Sequence, residues 1–152
     1  MWIGQTGYED IRGNLLKNEV ERVKEYLTKF KESWSKTGCT IMSDGWIDQR
    51  SRTILNFLIA CPKGTMFLKS VDASDQVKDA NLLFCLLDEV VEEVGVQNVV
   101  QVITNNAAAG RMLEEKHRTI WWTPCAVHCL DLMLEDIGKI EWVKKEWNKV
   151  KA

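Results

Sequence analysis

Apolar residues recur at Leu16, Val20, Val23, Leu27, Phe30 and Trp34, in alternating steps of four and three. That spacing lays one stripe along a helix. Asn14 is placed to cap it and Gly38 to stop it. Gly4, Gly7 and Gly13 interrupt the residues before it, so 1–13 read as an irregular lead-in. The period then changes to that of strands. Cys39–Trp46, Arg52–Cys61 and Thr65–Val71 are β-type runs, the last two joined by the turn Pro62-Lys63-Gly64. Short connections between three such runs predict an antiparallel meander. Ala80–Val94 is apolar around most of a helix, with Asp79 as cap and Gly95 as stop, and should lie buried against a sheet. Val99–Thr104 is a fourth strand, rich in β-branched residues. A helix is predicted over Ala107–His117, and a fifth strand over Thr119–Thr123, ended by Pro124. A helix over Ala126–Ile137 should stop at Gly138. A last amphipathic helix should run from about Ile140 to Val150, with Ile140, Val143, Trp147 and Val150 on one stripe.

The order α-βββ-α-β-α-β-α-α predicts a mixed α/β sheet with helices on both faces. It is the order of an RNase H-like fold. The chain divides into 1–37 (lead-in and amphipathic helix), 38–138 (a partial RNase H-like domain) and 139–152 (a C-terminal amphipathic helix).

Composition narrows the classes. Of 152 residues, 45% are hydrophobic, which gives a real core and excludes a disordered chain. The formal net charge of −2 is not the footprint of a dedicated nucleic-acid-binding domain. Charge is uneven: acids dominate from Ser70 to Glu115, and lysines dominate from Lys139 to Lys151, where a solvated helix face is the simpler reading. Cys39, Cys61 and Cys85 lie in or beside apolar runs, which predicts buried, reduced thiols in a reducing compartment, nuclear or cytoplasmic. No secretory leader is visible at the start, and no apolar run is long enough to span a bilayer.

The chemistry centres on two strand ends. Asp44 lies near the end of the first strand, and Asn105 follows the fourth. The first and fourth strands of an RNase H-like sheet are neighbours, so these positions should face each other. A two-metal phosphoryl-transfer site needs paired carboxylates there. Asp44 supplies one, whereas Asn105 offers only a neutral amide oxygen.

Four segments carry a resemblance: Ser43–Asp48, Lys69–Ser74, Val100–Thr104 and Trp122–Gly138. Together, in this order, they resemble hAT-superfamily transposase-like proteins of plants, and the likeness covers nearly the whole chain. It implies a DNA transposase catalytic domain whose acids bind Mg²⁺ or Mn²⁺ for strand cleavage and transfer. Three departures accompany it. The family's second metal-binding Asp is Asn105 here. The loop before Ala108-Ala109-Gly110 is a few residues shorter. The family's last catalytic Glu would fall beyond Ala152, past an insertion that the C-terminal helix would begin. The resemblance therefore implies an incomplete, degenerate site, with divalent metal binding weak or lost.

Cys125-x-x-His128 resembles the family's Cys-x-x-His signature. With Cys129, these residues could also offer zinc ligands on one helix face. Zinc takes about four ligands, and the remaining Cys39, Cys61, Cys85 and His117 are scattered, so zinc is not expected. Trp46, beside Asp44, could stack a nucleic-acid base. Trp34, Trp121, Trp142 and Trp147 fit apolar faces, as core or interface. Asp48, Asp72 and Asp75 could replace a lost metal ligand, but turn formation is the simpler reading. Three functions follow as expectations. The first is a transposase-derived domain without catalysis, binding DNA weakly. The second is a metal-dependent nuclease, using another carboxylate or active as part of a longer chain. The third is an interaction module that self-associates or meets a protein partner through exposed apolar helix faces.

Overall fold

The computed structural model describes residues 7–76 and 79–151, so residues 1–6 of the expected lead-in lie outside it. The lead-in that is described is helical: α1 (Tyr8–Asp10) passes into a π-helical turn, Ile11–Leu15, kinked at Gly13. Asn14 therefore lies inside helical backbone and caps nothing. The next helix, α2 (Leu16–Thr37), has no side-chain cap. Gly38 ends α2 at φ 68°, its N–H donating to the Trp34 carbonyl at 2.8 Å. A Cβ on Gly38 would meet Val100 Cγ1 at 2.6 Å, so both the backbone angle and the space select glycine.

Three strands follow, β1 (Cys39–Ile47), β2 (Thr53–Cys61) and β3 (Gly64–Asp72), and they form the expected antiparallel meander. Next come α3 (Ala80–Val94), β4 (Val99–Thr104), α4 (Ala107–Lys116), β5 (Trp121–Pro124), α5 (Ala126–Lys139) and α6 (Glu141–Lys151). The sheet order is β3-β2-β1-β4-β5, with β4 parallel to β1 and β5 parallel to β4. This is the RNase H-like topology. Gly138 does not stop α5, because nothing crowds it and the helix continues until Ile140 turns extended. β5 starts at Trp121, two residues later than expected, because the Ile120 N–H closes a turn on the His117 carbonyl.

The core lies on one face of the sheet. Ile41, Leu55, Phe57, Ile59, Met66 and Val102 point into it and meet Leu83, Leu87, Val90 and Val91 of α3 and Leu113 of α4. Strand alternation turns the intervening residues to the opposite face. There Thr40, Met42, Leu58, Gln101 and Ile103 are half-buried, and Asp44, Trp46 and Phe67 are exposed. A polar ladder crosses this face, from the Thr40 hydroxyl to Gln101 Oε1 (3.2 Å) and from Gln101 Nε2 to Thr123 Oγ1 (2.7 Å). Of the helices expected on both faces, α3 and α4 cover the core face, and on the other the start of α5 lies beside Met42, Asp44 and Ile103.

The α2 stripe is covered only at its C-terminal end. Trp34 is buried, and Leu27 and Phe30 pack against the core, while Leu16, Val20 and Val23 are exposed. No residue of α5 is buried. Trp121, Trp142 and Trp147 are exposed rather than in the core. All five cysteines are free thiols. Cys39 is buried and Cys61 half-buried, but Cys85 is exposed, because it lies on the outer side of α3.

Candidate functional site

Asp44 sits on β1, the central strand, opposite Asn56 of β2. Its Oδ1 accepts the Gly45 N–H at 2.9 Å, and the carboxylate is otherwise exposed. Trp46, two residues on, shares its face and is half-exposed. Asp44 opens into a cleft of about 500 Å³ on the open face of the sheet. Met42, Leu58 and Ile103 form the cleft's apolar floor. Cys125, Val127, His128 and Asp131 line it from the start of α5. Cys125 is held at this end because its N–H donates to the Thr104 carbonyl at 3.2 Å, which ties α5 to the tip of β4.

Asn105 lies at the same end of the sheet, directly after β4. The β1–β4 register pairs Met42 with Ile103, so Asp44 and Asn105 are on neighbouring strands at similar height. Their side chains line different depressions. Asn105 borders a small cavity of about 60 Å³ with Ser43, Gly45, Leu55, Asp79, Leu83 and Asn106. Asn106 caps α4 by accepting the Ala109 N–H at 3.0 Å. The structure therefore brings Asp44 together with Cys125, His128 and Asp131 in one cleft, and sets Asn105 beside the start of α3.

Of the other loop acids, Asp48 and Asp72 are committed to turns. Asp48 accepts the backbone N–H groups of Arg50 and Arg52 and pairs with the Arg52 guanidinium, and the Arg52 bonds hold its carboxyl below the usual range. Asp72 accepts the Ser74 hydroxyl and N–H, and these bonds lower its carboxyl too.

A second polar cluster joins α3 to α4. Asp88 Oδ1 is 2.7 Å from His117 Nε2, and Lys116 Nζ is 2.6 Å from Oδ2. Burial raises the Asp88 carboxyl, but the bonds from Lys116 and His117 outweigh it and leave the group below its ordinary value. Glu92 lies one turn further along α3, and ligand atoms of Asp88, Glu92 and His117 all fall within 4.8 Å of one another. Among the described residues this is the group of three that could hold a cation, and Asp44 is not part of it. The residues around Asp44 do not fit a pre-formed two-metal magnesium site, which requires converging charged oxygens.

Sequence reading missed Asp131 as a neighbour of Asp44. The signal was present, since Cys125, His128 and Asp131 recur every three residues over the first turns of α5. The Asp88–His117 pairing spans 29 residues and has no local signature.

A sheet in the order β3-β2-β1-β4-β5, with an acid on its central strand and core helices after β3 and β4, defines an RNase H-like domain. The chain belongs to the DUF659 family, described as a domain of unknown function, which matches residues 6–152. Comparison with curated proteins gives no match. Among the described residues, no helix is long and apolar enough to cross a membrane.

Proposed function

We propose that this chain is a transposase-derived RNase H-like domain that does not cut DNA by itself and works by contact, through weak DNA binding and apolar association with protein. DUF659 domains are found in hAT-type transposase-like proteins, which agrees with the resemblance of Ser43–Asp48 and Trp122–Gly138 to plant members of that superfamily. The observation that carries the reading is the pairing of strands β1 and β4. Asp44 stands at their shared end, whereas the residue after β4 is the neutral Asn105, which borders a different depression. The end of β4 therefore adds no negative oxygen to Asp44, and divalent cations held against phosphate need converging charged oxygens.

The association half rests on uncovered apolar surface. Val127, Leu130, Leu134 and Ile137 of α5 and Trp142 and Trp147 of α6 are all exposed. Contiguous apolar patches of this kind mark interaction surfaces. The lysines of α6 add local positive charge for a polyanion, although the overall charge of −2 keeps DNA affinity low at physiological salt.

The test is a nuclease assay on duplex and single-stranded DNA with Mg²⁺ or Mn²⁺. The wild-type protein is expected to leave both uncut, and so is Asn105→Asp, because position 105 borders a different depression from Asp44. Cleavage by the wild type that is lost in both Asp44→Ala and Asp131→Ala would overturn the reading in favour of a metal-dependent nuclease built on the Asp44 cleft. Light scattering should show oligomers that Leu130→Lys and Leu134→Lys dissociate, and a monomer at all concentrations would remove the association half.

A further inference from the structure

We propose that Cys85, Asp88 and Glu92 of α3 and His117 at the end of α4 form a zinc site that clamps the two helices together. This site is separate from the Asp44 cleft and does not rest on the reading of that cleft.

Placement comes first. Cys85, Asp88 and Glu92 are separated by three and four residues, so they stand in one row along α3. His117 is set against that row by its backbone. Its N–H donates to the Leu113 carbonyl at 2.8 Å, and its own carbonyl accepts the Ile120 N–H at 2.9 Å. The imidazole is buried, and its Nε2 points at Asp88. Ligands on a tetrahedral zinc ion at about 2.1 Å stand roughly 3.4 Å apart. To reach that spacing the Asp88–His117 pair, now 2.7 Å apart, must open slightly, and the atoms that now lie up to 4.8 Å apart must close by up to about 1.4 Å. The exposed Glu92 side chain can supply this closure by changing rotamer.

Donor chemistry selects the ion. One imidazole nitrogen, two carboxylate oxygens and a thiolate suit zinc, whereas magnesium keeps to oxygen. Cys85 is exposed and its thiol lies outside the group of three as the side chains now stand, so it would join the ion by turning about χ1 from its place in the same row of α3. Lys116 is the present counter-charge of this cluster. Its side chain is half-exposed, and exposed ion pairs are weak, so a divalent cation can take its place while the ammonium turns to water. His117 would then ligate through Nε2 as the neutral imidazole carrying its proton on Nδ1.

The consequence is structural. The helices α3 and α4 cover the same side of the sheet, and α4 leads directly into β5 and the start of α5. A metal at Asp88 and His117 would fix the turn Lys116–Ile120 that sets where β5 begins.

The full chain, stripped with a chelator, would be titrated with Zn²⁺ by calorimetry and followed by thermal unfolding. One equivalent should bind, with a rise in the melting temperature. Co²⁺ should give the intense visible bands of a four-coordinate ion and a thiolate charge-transfer band that disappears in Cys85→Ser. Glu92→Gln removes an exposed group, so the metal-free protein should melt as the wild type does. Its zinc affinity should fall by at least the roughly tenfold that losing a supporting group costs. A double variant, Cys125→Ser with His128→Ala, should bind zinc unchanged. The proposal is overturned if the wild type binds no single equivalent, if Glu92→Gln binds as tightly as wild type, or if loss of Cys125 and His128 abolishes binding. A wild-type cobalt spectrum without the thiolate band would also overturn the four-ligand set.

Discussion

Replacing Gly110 by alanine tests the contact between α4 and β5. Gly110 is buried in α4, and a Cβ built on it would run into the Trp122 indole at Cδ1, Nε1 and Cγ, far inside the ordinary carbon–carbon contact of about 3.5 Å. The indole would have to retreat by more than about 1 Å. Its backbone resists, because the Trp122 N–H donates to Glu114 Oε1 at 2.7 Å and Trp122 pairs with Val102 in the sheet. Overpacking of this kind costs about 3 kcal/mol. Alanine's better helix propensity returns about 1 kcal/mol. The net loss is about 2 kcal/mol, or roughly 4–8 °C in melting temperature for a domain of this size. Gly138 is the internal control. It sits in α5 with nothing within 4 Å of its would-be Cβ, so Gly138→Ala should leave stability unchanged or raise it by up to about 1 kcal/mol. Urea and thermal unfolding of the two variants side by side give the answer. If Gly110→Ala is as stable as Gly138→Ala, the packing of Trp122 over α4 is wrong.

Further outcomes follow from single groups. Burial, and secondarily Cys61, raises the Cys39 thiol to about 11. At pH 8 this rise from 9.0 should leave roughly a hundredfold fewer thiolates than an unshifted cysteine. In chelator-treated native protein, a mass-resolved alkylation course should label Cys85 and Cys129 early and Cys39 last, and early labelling of Cys39 would contradict its burial. The Asp88 carboxyl is lowered in the folded state, so its stabilising effect is complete above the unfolded value of about 3.9 and is lost as pH falls through the folded one. Metal-free Asp88→Asn should therefore show a shallower loss of stability on acidification below about pH 5 than wild type, and parallel curves would refute the pairing. Asp79 Oδ1 accepts the Leu82 N–H at 2.8 Å as the cap of α3, so Asp79→Ala should cost about 1 kcal/mol by urea denaturation.

The fold was legible where the period of the chain was strong. The alternation through Ile41, Leu55, Phe57 and Ile59 marked the buried face, and Asp79 and Gly95 marked both ends of α3. Local rules failed where tertiary context overrode them. Asn14 has a cap residue's chemistry, but the preceding turn is already helical. Gly138 has a stop signal's identity, but open space around it lets the helix run on. Cys85 and Trp121 belong to apolar runs, yet one faces outward from α3 and the other lies on an edge strand. At the site, the neighbouring strands were foreseeable from element order. The direction of each side chain was not, because the peptide after Thr104 sends Asn105 toward α3 while Asp44 faces α5.

The two outer strands have a consequence for how molecules of this protein can meet. β5 is only four residues long and closes on Pro124, which has no amide hydrogen to offer a further strand. β3 is longer, but its register slips opposite Phe57 and Leu58, and Lys69 stands beside the irregularity. A short, proline-ended rim on one side and a kinked, charged one on the other are poor templates for sheet extension. Contacts between copies are therefore steered toward reversible clusters built from side chains, and away from fibrils that grow by backbone pairing.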